Sequence, residues 1–118
     1  MFEISVETSF TATHAVTVCG IDEEPHCHDW TVVVTVHGNS LDNDGLLLDF
    51  HKLQQELDKI VSQLCNSNLN TCSALNGHNP TAERLAWYIA KQMQVELPVS
   101  ISSVTVTEAP FCKATYRP

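Results

Sequence analysis

Apolar and polar residues alternate from the start of the chain. Phe2, Ile4, Val6, Phe10 and Ala12 are interleaved with Glu3, Ser5 and Glu7, and His14 falls on the apolar parity. A period of two marks a strand with one buried face. Trp30, Val32, Val34 and Val36 repeat the pattern, with Thr31 and Thr35 between them, on the parity of His26 and His28. The two strands are expected to pair antiparallel across the loop of residues 17 to 25, which places all three histidines near one end of the hairpin.

The period then changes. Phe50, Leu53, Leu57, Ile60, Val61 and Leu64 are spaced 3, 4, 3, 1 and 3 apart, which predicts an amphipathic helix with Asp49 as its N-cap. Asn79-Pro80-Thr81 opens a second helix in which Leu85, Ile89 and Met93 recur every four residues, ending before Pro98. The segment CNSNLNTCSALNGHN between them is polar and aperiodic, and is expected to be one long loop. Alternation returns in VSISSVTVTEAPFCKATYRP, where Val104, Val106 and Glu108 share a face and Pro110 turns the chain into a short last strand. Strands and helices are segregated. This predicts a single α+β domain over residues 1–118, with a four-stranded antiparallel sheet in the order ββααββ and two helices on one face. An uncovered face or edge carrying valines would favour self-association.

The histidines carry the candidate chemistry. Residues 26 and 28 project from one strand face roughly 6.5 to 7 Å apart. Imidazoles on such a frame can converge on one ion, since zinc lies about 2.0 to 2.1 Å from each nitrogen. His14 from the neighbouring strand would complete three ligands and leave a fourth position open, as in catalytic rather than structural zinc sites. Cys27 lies between the two histidines, and alternation sends it to the opposite face.

Composition narrows the partners. The 118 residues include 6 basic and 14 acidic side chains, for a formal charge of −8. Phosphate neutralisation by Lys and Arg dominates nucleic-acid affinity, so this balance argues against a nucleic-acid binder and an anionic membrane surface. Apolar runs such as Val32-Val33-Val34 are far too short to span a bilayer. MFEISVETSF carries no basic segment followed by an apolar stretch, so no export signal is expected. Five cysteines (19, 27, 65, 72 and 112) lack C-x-x-C pairs and are read as reduced thiols of a cytoplasmic protein.

In order along the chain stand Phe10-Thr11-Ala12-Thr13-His14, His26-Cys27-His28, Gly45 to Asp49-Phe50, Leu69-Asn70, Asn79-Pro80-Thr81-Ala82-Glu83 and Glu108. This ordered series resembles the 6-pyruvoyl-tetrahydropterin synthase family, which includes the 6-carboxy-tetrahydropterin synthases. Single motifs are weak, but the series covers nearly the whole chain. The resemblance implies the tunnelling fold, in which trimers close a barrel and stack into hexamers with active sites between subunits. It implies Zn²⁺ on His14, His26 and His28, and a reduced pterin held by Glu108 with Thr81 at the pocket edge. A carboxylate suits that task because it can accept two parallel N–H bonds.

The departures lie in proton transfer. Family members usually carry a cysteine a few residues before His-x-His. Here Asp22 lies four residues before His26, Cys19 seven and Glu23 three, and some relatives carry a glutamate at that last spacing. The family's Asp-His pair aligns with Cys65 and Asn66, and Asn is neither acid nor base near neutral pH. Glu23, and after it Cys19, are therefore the candidate catalytic residues, with His78 as a further substitute for the missing histidine. The resulting expectation is a zinc-dependent lyase acting on the side chain of dihydroneopterin or its triphosphate. The alternatives are a pterin-binding homologue without catalysis and a zinc-binding structural module. The small number of cations favours a substrate without phosphates.

Overall fold

The computed structural model describes residues 1–75, 77–96 and 98–118. Both expected long strands form: β1 spans Phe2–His14 and β4 spans His26–Gly38. They pair antiparallel without interruption, from Phe2 opposite Gly38 to His14 opposite His26. Between them, β2 (Thr17–Val18) and β3 (Ile21–Asp22) form a small hairpin. Cys19 and Gly20 make its turn, with φ of 53° and 77°. Two consecutive positive φ values are what a tight two-residue hairpin turn requires.

Helix α1 covers Phe50–Ser62, and Asp49 caps it by accepting a hydrogen bond from His51 N at 2.9 Å. After β5 (Ser67–Asn68) and a 3₁₀ turn at Ser73–Leu75, helix α2 covers Ala82–Gln92. Strands β6 (Ser100–Ala109) and β7 (Cys112–Tyr116) close the chain.

The sheet differs from the expected one in strand number and direction. It has five strands in the order β5-β1-β4-β6-β7, and β5 runs parallel to β1. Antiparallel pairing of four strands is retained, and the fifth makes the sheet mixed. The extra strand lies in the segment expected to be a loop. Asn66 N donates to Thr11 O at 2.6 Å and Leu69 N to Thr13 O at 2.9 Å, which zips this segment onto the free edge of β1. A two-residue strand carries no periodicity to read. The expected loop also included Asn76, which lies outside the described residues.

One sheet face is the core. Val6, Phe10, Ala12, Trp30, Val32, Val34, Val36, Val104 and Val106 are all buried there. Helix α1 packs on β1, and α2 packs on β6 and β7. They contribute Leu53, Leu57, Ile60 and Val61 from α1 and Leu85, Ala86 and Ile89 from α2. Burying each large aliphatic side chain contributes about 1.5 to 3 kcal/mol before chain entropy is counted. Phe10 and Trp30 stack across the strands with centroids 6.2 Å apart, and the indole Nε1–H donates to Ala12 O at 3.1 Å.

The other face is uncovered and carries hydroxyls. Ser5 meets Thr35 at 2.7 Å, Thr105 meets Thr115 at 2.7 Å, and Thr11 donates to Asp29 at 2.8 Å. Of the β4 valines, Val33 alone has the parity of this face.

Candidate functional site

The β1–β4 ladder ends at the pair His14–His26, so alternation sends His14, His26 and His28 to the core face at one sheet end. There the hydrophobic layer gives way to polar groups. His14 is fully buried, whereas His26 and His28 are partly exposed. Trp30 forms the floor, packed edge-on against His14 at 4.8 Å and against His28 at 5.5 Å between centroids.

Backbone carbonyls orient two of the rings. His14 Nδ1 lies 2.7 Å from Pro80 O, and His26 Nδ1 lies 2.9 Å from Glu24 O. A carbonyl only accepts, so each Nδ1 carries the proton and donates. In a neutral ring the Nε2 is then a bare lone pair. These two Nε2 atoms face each other at 3.0 Å. Ligating histidines show this pattern, one nitrogen on the metal and the other donating to a carbonyl.

Strand β6 brings the fourth group. Thr107 pairs with Thr31, which sets Glu108 alongside Trp30. Glu108 Oε1 lies 2.8 Å from His14 Nε2 and 3.8 Å from His28 Nε2. The sequence places Glu108 on the correct face but does not show that its carboxylate reaches the histidines. The four ligand atoms of His14, His26, His28 and Glu108 lie within 4.8 Å of one another. A tetrahedral ion with bonds of 2.0 to 2.1 Å separates its ligands by about 3.3 Å. The contacts of 2.8, 3.0 and 3.8 Å bracket that spacing.

The donor set also fits a cation on chemical grounds. His28 Nε2 is buried and has no hydrogen-bond partner. Such a group costs free energy unless it meets a donor or a metal. A proton on His14 would satisfy Glu108 alone, whereas a divalent ion satisfies all four groups. Burial holds the His28 pKa below its ordinary 6.5, against the upward pull of Glu108 and with a further lowering by His26 and His14. A neutral ring near pH 7 is the form that can ligate.

The other expected site residues lie around this cluster. Glu23 stands at its rim, with Oε1 3.6 Å from His26 Nε2 and 2.8 Å from Val16 N. Cys19 is outside the cluster, exposed at the tip of the β2–β3 turn. Thr81 is the N-cap of α2, its hydroxyl accepting from Arg84 N at 3.1 Å. His78 packs edge-on to Trp87 with centroids 6.1 Å apart and is outside the cluster. Cys65 is exposed, and Asn66 adopts a left-handed conformation at φ 56°, so these positions form the turn between α1 and β5. Cys27 is exposed on the opposite face.

Two clefts flank Glu108. One, about 480 Å³, is lined by Ala82, Glu83, Cys112 and Lys113. The other, about 430 Å³, is lined by His28, Thr31, Ala109 and Pro110. Such volumes are typical of small-molecule sites. The carbonyls of Pro80 and Glu24 are site groups that sequence reading missed, since a backbone oxygen leaves no signal in residue type.

Fold and site together define an α+β protein with a candidate metal centre of three histidines and a glutamate at one sheet end. The sequence model of 6-pyruvoyl tetrahydropterin synthase matches residues 3–118, and the chain belongs to that family. It is 35% identical over 95 residues to dihydroneopterin monophosphate aldolase of Pyrococcus furiosus, covering 80% of this chain and 77% of that one. The fold matches Caenorhabditis elegans 6-pyruvoyl tetrahydropterin synthase with a TM-score of 0.86 at 19% identity, over 99% of this chain and 95% of that one. It also matches Plasmodium vivax 6-pyruvoyltetrahydropterin synthase, in a variant with a catalytic glutamate replaced by alanine. There the TM-score is 0.83 at 24% identity, over 99% of this chain and 97% of that one. Among the described residues no helix is long and apolar enough to cross a membrane.

Proposed function

We propose that this protein is a zinc-dependent lyase that cleaves the side chain of a reduced pterin, dihydroneopterin or a phosphorylated form of it. The observation that carries this reading is the convergence of three imidazole nitrogens with a carboxylate, one of them a buried atom without a partner. His14, His26 and His28 would hold the zinc. Bound zinc would supply Lewis-acid polarisation and acidify the side-chain hydroxyls.

Glu23 is the favoured proton-transfer group over Cys19. It stands at the rim of the site, and the Plasmodium vivax relative has a glutamate as a catalytic residue. Its carboxylate would take a side-chain hydroxyl proton. The adjacent carbon–carbon bond then breaks as that oxygen becomes a carbonyl. The bonding pair passes into the ring C=N, and the proton returns to the carbon left on the ring. The products are a hydroxymethyl dihydropterin and a two-carbon aldehyde. This is the aldolase type of reaction named for the Pyrococcus furiosus relative. Glu108 would accept the N–H edge of the pterin, and Thr81 would border the pocket at the start of α2. Lys113, in the cleft beside Glu108, can meet one phosphate group more readily than three.

Membership of the family supports assembly into a trimer or hexamer, which light scattering would test. Five unpaired cysteines support a reducing, cytoplasmic setting.

The deciding experiment incubates zinc-loaded protein with dihydroneopterin, its monophosphate and its triphosphate, with chromatography of the pterin products. Cleavage of the first or second is expected, together with loss of turnover in Glu23→Ala at unchanged zinc content. No conversion of any of the three would sink the lyase reading. Tight pterin binding without turnover, unaltered by Glu23→Ala, would instead identify a homologue that keeps the pocket and lacks the reaction.

A further inference from the structure

We infer that Asn70 and Asn79 are positioning residues that set Glu23 against the metal-binding histidines, by standing in as strand partners for the backbone of residues 15–17. This rests on the reading of Glu23 as the proton-transfer group.

The β1–β4 ladder stops at His14, and the next three residues need other partners for their peptide groups. Side chains supply them. Ala15 N donates to Asn70 Oδ1 at 2.7 Å, and Asn70 Nδ2 donates back to Ala15 O at 2.7 Å. Thr17 N donates to Asn79 Oδ1 at 3.0 Å, and Asn79 Nδ2 donates back to Thr17 O at 2.8 Å. A carboxamide offers one acceptor and one donating edge, as a peptide group does. Each asparagine thus reproduces the pair of hydrogen bonds that a neighbouring strand would make.

In extended chain, residues 15 and 17 present their peptide groups to one side and residue 16 to the other. Val16 accordingly turns to Glu23. Its N donates to Glu23 Oε1 at 2.8 Å, and its O accepts from Glu23 N at 3.1 Å. The segment is gripped on one edge by two asparagines and on the other by Glu23. The carboxylate oxygen held by Val16 is the one that lies 3.6 Å from His26 Nε2.

Both asparagines are themselves anchored to the site. Asn79 precedes Pro80, whose carbonyl takes the Nδ1–H of His14 at 2.7 Å. Asn70 follows Leu69, whose N–H is bonded to Thr13 O at 2.9 Å. Both side chains are exposed, so their replacement opens no cavity and the variants are expected to fold.

The test uses Asn70→Asp and Asn79→Asp in the full chain. Aspartate keeps the acceptor and replaces the donor with an oxygen facing Ala15 O or Thr17 O. Zinc stoichiometry and KM are expected to hold while kcat falls about 10- to 100-fold. In a Glu23→Gln background the same changes should have no further effect on kcat, because they act through Glu23. Equal losses with and without Glu23 would overturn the proposal. Two readouts need no turnover and so separate this inference from the lyase reading. Amide hydrogen exchange at residues 15–17 should speed up about tenfold or more while that of Val32 and Val34 is unchanged. The carboxyl ¹³C resonance of Glu23 should shift. Unchanged exchange, or an unmoved Glu23 resonance, would refute the positioning role whether or not any pterin is cleaved.

Discussion

His14 Nδ1 lies 2.7 Å from the carbonyl oxygen of Pro80, 66 residues further along the chain. This one bond ties the end of β1 to the segment that leads into α2. It also commits the proton of the ring to Nδ1 and aims the Nε2 lone pair at His26 and Glu108.

Replacing His14 would remove a proposed zinc ligand whose partner carbonyl is already fixed. Removing a group that merely orients a ligand typically costs 10- to 100-fold in metal affinity. His14→Ala should exceed that, with zinc falling from one per chain to near zero by elemental analysis. His26→Ala and His28→Ala should do the same. Retention of one tightly bound zinc by any of the three would show that the convergence is not a metal site.

Glu108 lies at the cluster and also borders both clefts, so its two possible tasks can be separated. Glu108→Gln keeps the shape and loses the charge. As a pterin anchor, it should leave zinc affinity within about tenfold while weakening pterin binding by about 10- to 100-fold, the range of a lost charge-assisted hydrogen bond. Zinc loss equal to that of His28→Ala would instead make it a ligand. Calorimetric titration with zinc and with a pterin distinguishes the two.

Burial lowers the pKa of His28 from 6.5 in the metal-free protein. The unfolded chain therefore binds the proton more readily than the folded one. Stability from the neutral ring is fully present above pH 6.5 and is lost as pH falls through the depressed folded value. The Tm of the metal-free protein should drop between pH 7.5 and 5.5, and His28→Gln should flatten that dependence. A Tm that rises on acidification would reverse the sign argued here.

Trp30 connects the core to the site. It is fully buried, it donates to Ala12 O, and its ring supports His14 and His28. Trp30→Ala should cost about 3 to 5 kcal/mol of stability by denaturant titration. The milder Trp30→Phe should retain the fold yet lower zinc affinity, because the edge-on support of both histidines is altered. Wild-type zinc affinity in Trp30→Phe would show that the ring serves packing alone.

Much of this was legible along the chain because it is local and repetitive. The period-two alternation of β1 and β4 sets strand identity and parity together, so the shared face of His14, His26 and His28 follows from spacing alone. Asp49 was readable because an N-cap is a contact across two or three residues. The parallel strand β5 was not, since two residues repeat nothing.

The sequence by itself determined the two long strands, the two amphipathic helices, the face that the histidines share and the family to which the motifs belong. Only the tertiary structure decided which groups meet there. Glu108 reaches His14 through the β4–β6 register, Pro80 O reaches His14 through the path into α2, and Asn70 and Asn79 reach the backbone beyond β1. The physical reason is the range of the forces involved. Periodicity records which side chains leave water, whereas hydrogen bonds act over about 3 Å between groups that only the packed chain brings together.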